Sequence, residues 1–247
     1  MNGNIVITGG GTGGHLKVAK AFIDEFNERD IKPIFIGSKN GQDKKWFEKY
    51  EKIEKKYFLD TRGVVNKGLF GKLNALFKIF IQTLKCCIIF FKNDVKIVIS
   101  VGGFSAAPAT FASILIPNCK LYIHEQNSYM GKLNKITSKY ATEVFSSYLD
   151  SSKIKDYPVS SEFFNSSRIR KEVKKVIFLG GSQGAVAINN FALSVAKDLN
   201  DKGIKIIHQT GDKDFLRVQS EYKKLGIEVD VFDFTEQRRN SSINAGK

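Results

Sequence analysis

The 247-residue sequence predicts an α/β protein built from two parallel-sheet domains in tandem. Three observations carry this. Short runs rich in Ile and Val alternate with segments of helical period. Three of those runs pass directly into glycine-rich turns. The whole rhythm then restarts after a polar, irregular stretch at Tyr148–Glu172.

Asn4–Thr8, Pro33–Gly37, Lys96–Val101 and Leu121–His124 read as strands. They are apolar without strict alternation, the pattern of strands buried on both faces. Leu16, Ala19, Phe22, Ile23 and Phe26 recur at three- and four-residue steps, which marks one face of a helix between the first two strands. Strand, helix and strand in this order build a parallel sheet. Later, Lys174–Gly181, Ile204–His208 and Glu228–Phe232 read as strands. Gly184–Asn200 reads as a helix with Ala185, Ile188, Phe191, Ala192, Val195 and Leu199 on one face. The stretch with Pro158 and several serines is the expected junction, dividing residues 1–155 from residues 156–247.

The composition, 42% hydrophobic and 26% charged, is that of an ordinary globular chain. A formal charge of +14 favours anionic partners such as acidic lipid or phosphorylated substrates. Lysine supplies most of the excess, and a lysine-rich proteome would give the same number. Nucleic acid is set aside as a partner, because the basic residues are not interleaved with aromatics. Cys86 and Cys87 are adjacent in an apolar run and Cys119 is isolated, so no disulfide framework is expected and a reducing compartment fits. Met1–Val6 lacks a basic segment followed by an apolar one, so no signal peptide is expected. No 18 uncharged apolar residues run together, so no membrane-spanning helix is expected. These features together point to the cytoplasm, with a membrane surface as a candidate attachment.

The chemistry concentrates in three turns: Gly9-Gly10-Gly11-Thr12-Gly13-Gly14-His15, Gly102-Gly103-Phe104-Ser105, and Gly180-Gly181-Ser182-Gln183-Gly184. Each stands where a strand becomes a helix. Glycine there lets a ligand approach the backbone, and the helix N-terminus offers free N–H groups to a phosphate or diphosphate. Gly9, Gly11 and Gly14 match the spacing of the dinucleotide fingerprint. A nicotinamide site also needs an acid at the end of strand two, and Gly37-Ser38-Lys39 supplies none. No Gly-Lys-Ser/Thr follows any turn, so the Walker pattern fails as well.

Polar residues crowd the predicted strand ends, where open α/β sheets bind ligands. His15 follows the first turn, and His124-Glu125-Gln126-Asn127 follows a short apolar strand. Neutral imidazole is a candidate general base, and an adjacent carboxylate raises its basicity. His15, His124 and Glu125 are therefore the candidate catalytic groups. Asn and Gln suit hydroxyl-rich ligands, because each both donates and accepts. His208 reads as a capping or packing residue. Asp212-Lys213-Asp214 has the spacing of a manganese motif but falls in a charged turn, and no metal site is expected.

Residues from Gly71 to Lys92 form an apolar helix with Lys78, Lys85 and Lys92 on one stripe. Leu73, Leu76, Phe77, Phe80, Leu84, Ile88 and Phe91 form another. Such a helix can lie in an anionic membrane interface or pack on a sheet with its lysine edge in water, and both can hold at once.

Gly-Gly-Thr-Gly-Gly-His at 10–15, Thr61-Arg62-Gly63, His124-Glu125-Gln126-Asn127 and Gly-Gly-Ser-Gln-Gly at 180–184, in this order, resemble the MurG glycosyltransferase family. The likeness runs from about Asn4 to Phe234. It implies the GT-B fold, two Rossmann-like domains facing a cleft, the second incomplete here. It implies inverting transfer of N-acetylglucosamine from UDP-GlcNAc, without metal or other cofactor. The acceptor would be the C4 hydroxyl of the muramyl-peptide on undecaprenyl diphosphate, at the cytoplasmic face of the bacterial inner membrane. By the same resemblance Thr12, Gly13, Gly14, Asn127 and Ser182 contact the donor, with Gln183 and Gly184 in the same turn. Gly102 and Gly103 begin a loop facing the acceptor diphosphate, and His15 serves acceptor binding or catalysis. The helix from Gly71 falls near the family's membrane-contact patch.

Two departures stand out. Ser160 replaces the arginine that the family places near the donor phosphates, leaving Arg168 and Arg170 as the nearby cations. The last residues, Arg238–Lys247, match none of the family's later donor-binding motifs, so the nucleoside pocket is expected to be incomplete. A truncated chain, a shifted reading frame or a half supplied by a partner would each produce this. The alternative reading is an inactive or split form that binds lipid precursor at the membrane without turnover.

Overall fold

In the computed structural model, six parallel strands make the first sheet: β1 (Asn4–Thr8), β2 (Ile34–Ser38), β3 (Lys56–Leu59), β4 (Val95–Ser100), β5 (Lys120–His124) and β6 (Glu143–Phe145). Residues 4–63, 68–159, 164–165, 167–169, 171–181 and 184–233 are described. The strand order is β3-β2-β1-β4-β5-β6, the doubly wound order. Helices α1 (Gly13–Asn27), α2 (Asp43–Phe47), α3 (Leu69–Lys92), α4 (Ala107–Leu115) and α5 (Lys132–Thr137) connect the strands.

Successive residues of a strand point to opposite faces, and here both faces are covered. Val6, Ile34, Ile36, Val98 and Ile123 pack with Cys86 and Phe90 of α3 and Ala109 and Ala112 of α4. Ile5, Ile7, Phe35 and Ile99 pack with Leu16, Ala19 and Ile23 of α1 and Phe47 of α2. This is why the strands read as unbroken apolar runs. The two strands that the sequence reading left out, β3 and β6, are the sheet's edges, four and three residues long. So short a run carries no period.

The chain divides into two compact units, Met1–Ser160 and Ser161–Lys247. The second holds a parallel sheet in the order β7-β8-β9, from β7 (Lys175–Leu179), β8 (Lys205–Gln209) and β9 (Asp230–Phe232). Helices α6 (Val186–Asp201) and α7 (Phe215–Lys224) connect them, and Ala196, Ile206, Val218, Tyr222 and Ile227 form the core.

Helix α3 bears on the membrane expectation. Phe70–Lys92 is long and apolar enough, by length and composition alone, to cross a membrane, with a mean hydropathy of 1.6 over an 18-residue window. Its lysines are too few to offset its Phe, Ile and Leu. In the fold one face of the helix is tied down against α4 and β4, burying Ala75, Gln82, Thr83, Cys86 and Phe90. Lys78 pairs with Asp60 at 2.8 Å. The opposite face leaves Leu73, Leu76, Phe77, Phe80, Leu84, Ile88 and Phe91 all exposed, Phe91 by 88%. A face this apolar on a helix already anchored by its other side marks an interaction surface.

Candidate active site

Strand order reverses between β1 and β4, and ligands of doubly wound sheets bind at such a switch point. The first two glycine turns meet there. Val101 N–H donates to Thr8 O at 2.9 Å, and Gly10 N–H donates to Gly102 O at 3.1 Å. Gly103 has φ +81°, and a Cβ there would lie 2.1 Å from Gly10 O, so only glycine fits. Phe104 lays its ring against Gly11, which equally leaves no room for a side chain.

His15 stands in the first turn of α1, half-buried at this junction. Its Nδ1 is 3.0 Å from Thr12 Oγ1, and its Nε2 edge faces Gly102. Burial pushes its pKa below the ordinary 6.5, while the carboxylates of Glu125 and Asp43 pull it back up. Thr12 and Gly14 are exposed beside it and Gly13 is half-buried, so the positions expected to touch the donor line an accessible edge.

The cluster after β5 holds the candidates His124 and Glu125. Glu125 is buried and accepts four hydrogen bonds. Oε1 takes Asn127 N and Nδ2 at 2.9 and 3.1 Å, and Oε2 takes Gly131 N and Asn134 Nδ2 at 3.0 and 2.9 Å. A carboxylate so occupied organises the loop and holds the exposed Asn127 in place. His124 is buried edge-on to the rings of Phe22 and Tyr157, and neither ring nitrogen has a hydrogen-bond partner. Burial pushes its pKa down to about 4, so it is neutral at pH 7. Gln126 bridges outward: its Nε2 donates to Val101 O at 3.2 Å, and its Oε1 accepts from Tyr157 OH at 3.2 Å.

The third turn is built in the second unit. Gly181 N–H donates to Gln209 Oε1 at 2.7 Å, and Gln209 Nε2 returns a bond to Gly181 O at 2.9 Å. Gly184 comes so close to Thr210 O that a Cβ would lie 2.6 Å away. Ser182 and Gln183 lie outside the described residues. Beneath the turn, His208 is buried between Tyr222 OH at 2.9 Å from Nδ1 and Asn189 Oδ1 at 3.0 Å from Nε2. Asn189 Nδ2 donates to Thr210 O and to Asp214 Oδ2, which leaves its oxygen to accept from His208. The imidazole is therefore neutral with its proton on Nε2, and burial pushes its pKa down to about 4. An unfolded His near 6.5 takes up a proton first, so stability is full above pH 6.5 and falls as pH drops toward 4. The expected loss is about 3 kcal/mol at pH 4. Urea unfolding followed on β8 amide resonances at pH 7 and pH 4 measures it, and Tyr222→Phe is expected to lower stability at both.

Both parts of one enzyme family match this chain. The glycosyltransferase family 28 N-terminal domain covers residues 5–146, and its C-terminal domain covers residues 175–242. The chain belongs to glycosyltransferase family 28. One relative of this family 28 chain is 45% identical over 241 residues, which is 98% of this chain and 70% of the relative. It is the UDP-N-acetylglucosamine--N-acetylmuramyl-(pentapeptide) pyrophosphoryl-undecaprenol N-acetylglucosamine transferase of Campylobacter jejuni subsp. doylei. A protein of the same name from Sulfurimonas denitrificans is 49% identical over 94% of this chain and 68% of its own length. Among solved structures, MurG of Acinetobacter baumannii superposes with a TM-score of 0.70 at 24% identity, over 98% of this chain and 71% of that one. UDP-GlcNAc 2-epimerase of Neisseria meningitidis reaches 0.57 at 11% identity, over 97% of this chain and 74% of that one. Both likenesses show the fold.

Several residues that brace the candidate site escaped the sequence reading: Asp43, Asn134, Asn189 and Gln209. All are polar and buried, and Asp43 and Gln209 lie 32 and 28 residues from the glycine N–H groups they hold, so no local pattern announces them. The manganese-like spacing resolves into structure, because Asp214 is held by Arg217 and Asn189 at the start of α7. Among the described residues no group of three or more His, Cys, Asp or Glu gathers as a metal site. Arg168 is exposed, whereas Ser160, Arg170 and residues 234–247 lie outside the described residues.

Proposed function

We propose that this chain transfers N-acetylglucosamine from UDP-GlcNAc to the C4 hydroxyl of the N-acetylmuramyl-peptide carried on undecaprenyl diphosphate. The product is the complete lipid-linked disaccharide-peptide used for peptidoglycan. The observation that carries this reading is identity of 45–49% across 94–98% of the chain to enzymes named for that transfer. Donor phosphates are assigned to the third turn, where Gly181 and Gly184 open onto the N-terminus of α6. Helix dipole and free N–H groups there stabilise the charge that grows as UDP leaves.

The acceptor is assigned to the second turn and to His15, beside the donor-facing Thr12, Gly13 and Gly14 of the first. His15 is the general base. In the tautomer that donates Nδ1–H to Thr12 Oγ1, the Nε2 lone pair is free to take the proton of the C4 hydroxyl as oxygen attacks the anomeric carbon. Attack from the face opposite UDP inverts the anomeric configuration. Glu125 supports this by fixing Asn127 in the loop after β5 and tying that loop to Asn134 of α5.

The exposed face of α3, flanked by exposed Lys72, Lys85 and Lys92, supports peripheral attachment to an anionic membrane at its cytoplasmic face. There the lipid-linked acceptor resides. The test is a turnover assay with radiolabelled UDP-GlcNAc and a short-chain acceptor analogue. Label moving into the lipid fraction, dependent on both substrates, is the expected result; no incorporation at saturating substrates counts against the reading.

A further inference from the structure

A second buried carboxylate in the first unit is not one of the motif residues. Asp43, the first residue of α2, is fully buried. Its Oδ2 accepts from Gly11 N–H at 2.7 Å and its Oδ1 from Ser38 N–H at 3.1 Å. Three glycines make room for it. A Cβ would lie 2.6 Å from a carboxylate oxygen at Gly10 and at Gly41, and 2.7 Å at Gly37. The end of β2 and the turn after β1 thus close around one charged side chain.

We infer that Asp43 is a positioning residue for the transfer: its carboxylate fixes the first glycine turn so that Thr12 and His15 stand in working geometry. This rests on the function proposed above. Two consequences follow from the geometry. The Gly11 N–H, which the glycine-rich spacing would offer to a phosphate, is already taken by an anion. The first turn therefore presents hydroxyl and imidazole groups rather than a phosphate cradle at that point. In addition, Asp43 and Glu125 are the two carboxylates whose fields reach His15, from α2 and from the loop after β5. Removing one shifts the imidazole toward its neutral form.

The test compares wild type with Asp43→Asn, Asp43→Glu and Gly41→Ala. The last keeps the carboxylate but crowds it, because the new methyl would lie 2.6 Å from Oδ2 and 2.7 Å from Gly11 Cα. Expected are a tenfold or greater fall in kcat for Asp43→Asn, a donor KM within twofold, and partial recovery in Asp43→Glu. NMR is expected to show a displaced Gly11 amide resonance and a lower His15 titration midpoint in Asp43→Asn. Gly41→Ala is expected to displace the same Gly11 resonance, which covers the case of an Asp43 variant that does not fold. A folded Asp43→Asn with unchanged kcat, or with unmoved Gly11 and His15 signals, overturns the inference. If wild type itself shows no turnover, the proposed function fails instead, and the Gly11 and His15 resonances alone decide whether Asp43 positions the turn.

Discussion

Replacing His15 by alanine is expected to lower kcat by roughly 10²- to 10⁴-fold, the range that a positioned general base contributes. The donor KM is expected to change little. His15 is half-buried at the point where the first two glycine turns touch, with one nitrogen engaged by Thr12 and the other facing Gly102. No other described histidine can take its place in the first unit, because His124 is enclosed between Phe22 and Tyr157. The pH profile gives an independent reading. Burial lowers the pKa of His15 below 6.5, against the pull of Glu125 and Asp43. A base acts only when unprotonated, so the fall of kcat/KM with acidity is expected to come at a lower pH than an ordinary imidazole would give. Thr12→Val removes the group that holds the tautomer. A loss of about tenfold is expected, the worth of one hydrogen bond. Steady-state kinetics of the variants from pH 5 to pH 8 decide the point, and a fully active His15→Ala would remove His15 from the chemistry.

The second large effect is expected at the membrane. Changing Leu76, Phe77, Phe80 and Leu84 together to serine should weaken binding to anionic vesicles by roughly 10³-fold. Each side chain is exposed by 45–64%, so partial insertion is worth about 1 kcal/mol apiece, or about 4 kcal/mol in all. The fold should survive, because the helix is anchored through Ala75, Cys86 and Phe90 on its other face. Neutralising Lys85 and Lys92 should cost about 1 kcal/mol per site on vesicles containing acidic lipid and little on neutral ones. Vesicle co-sedimentation measures both, with circular dichroism reporting the fold. Unchanged sedimentation of a folded quadruple variant would show that this face does not meet lipid.

The sequence revealed the parts that repeat or run long. The strands β1, β2, β4 and β5 were legible because burial on both faces demands continuous Ile and Val. The glycine turns were legible because crossing points such as Gly103 against Gly10 admit no side chain. Helix α3 was legible as apolar, with packing and lipid contact both open to it, and which residues take which face emerged only with the fold. The surroundings of Glu125 and His124 were not legible. The spelling of the cluster does not announce the four donors that converge on Glu125. Asp43 was hidden for a related reason, since it is 32 residues from the Gly11 N–H it holds.

The most direct measurement is the identity of the product formed from UDP-GlcNAc and a lipid-linked muramyl-peptide acceptor in vesicles. Mass spectrometry and proton NMR are expected to find one N-acetylglucosamine on the C4 oxygen for each UDP released, with the anomeric configuration opposite to the donor's. UDP released with free sugar, or conversion of the sugar to its C2 epimer with none on the lipid, would contradict the transfer and point to another chemistry on the same fold.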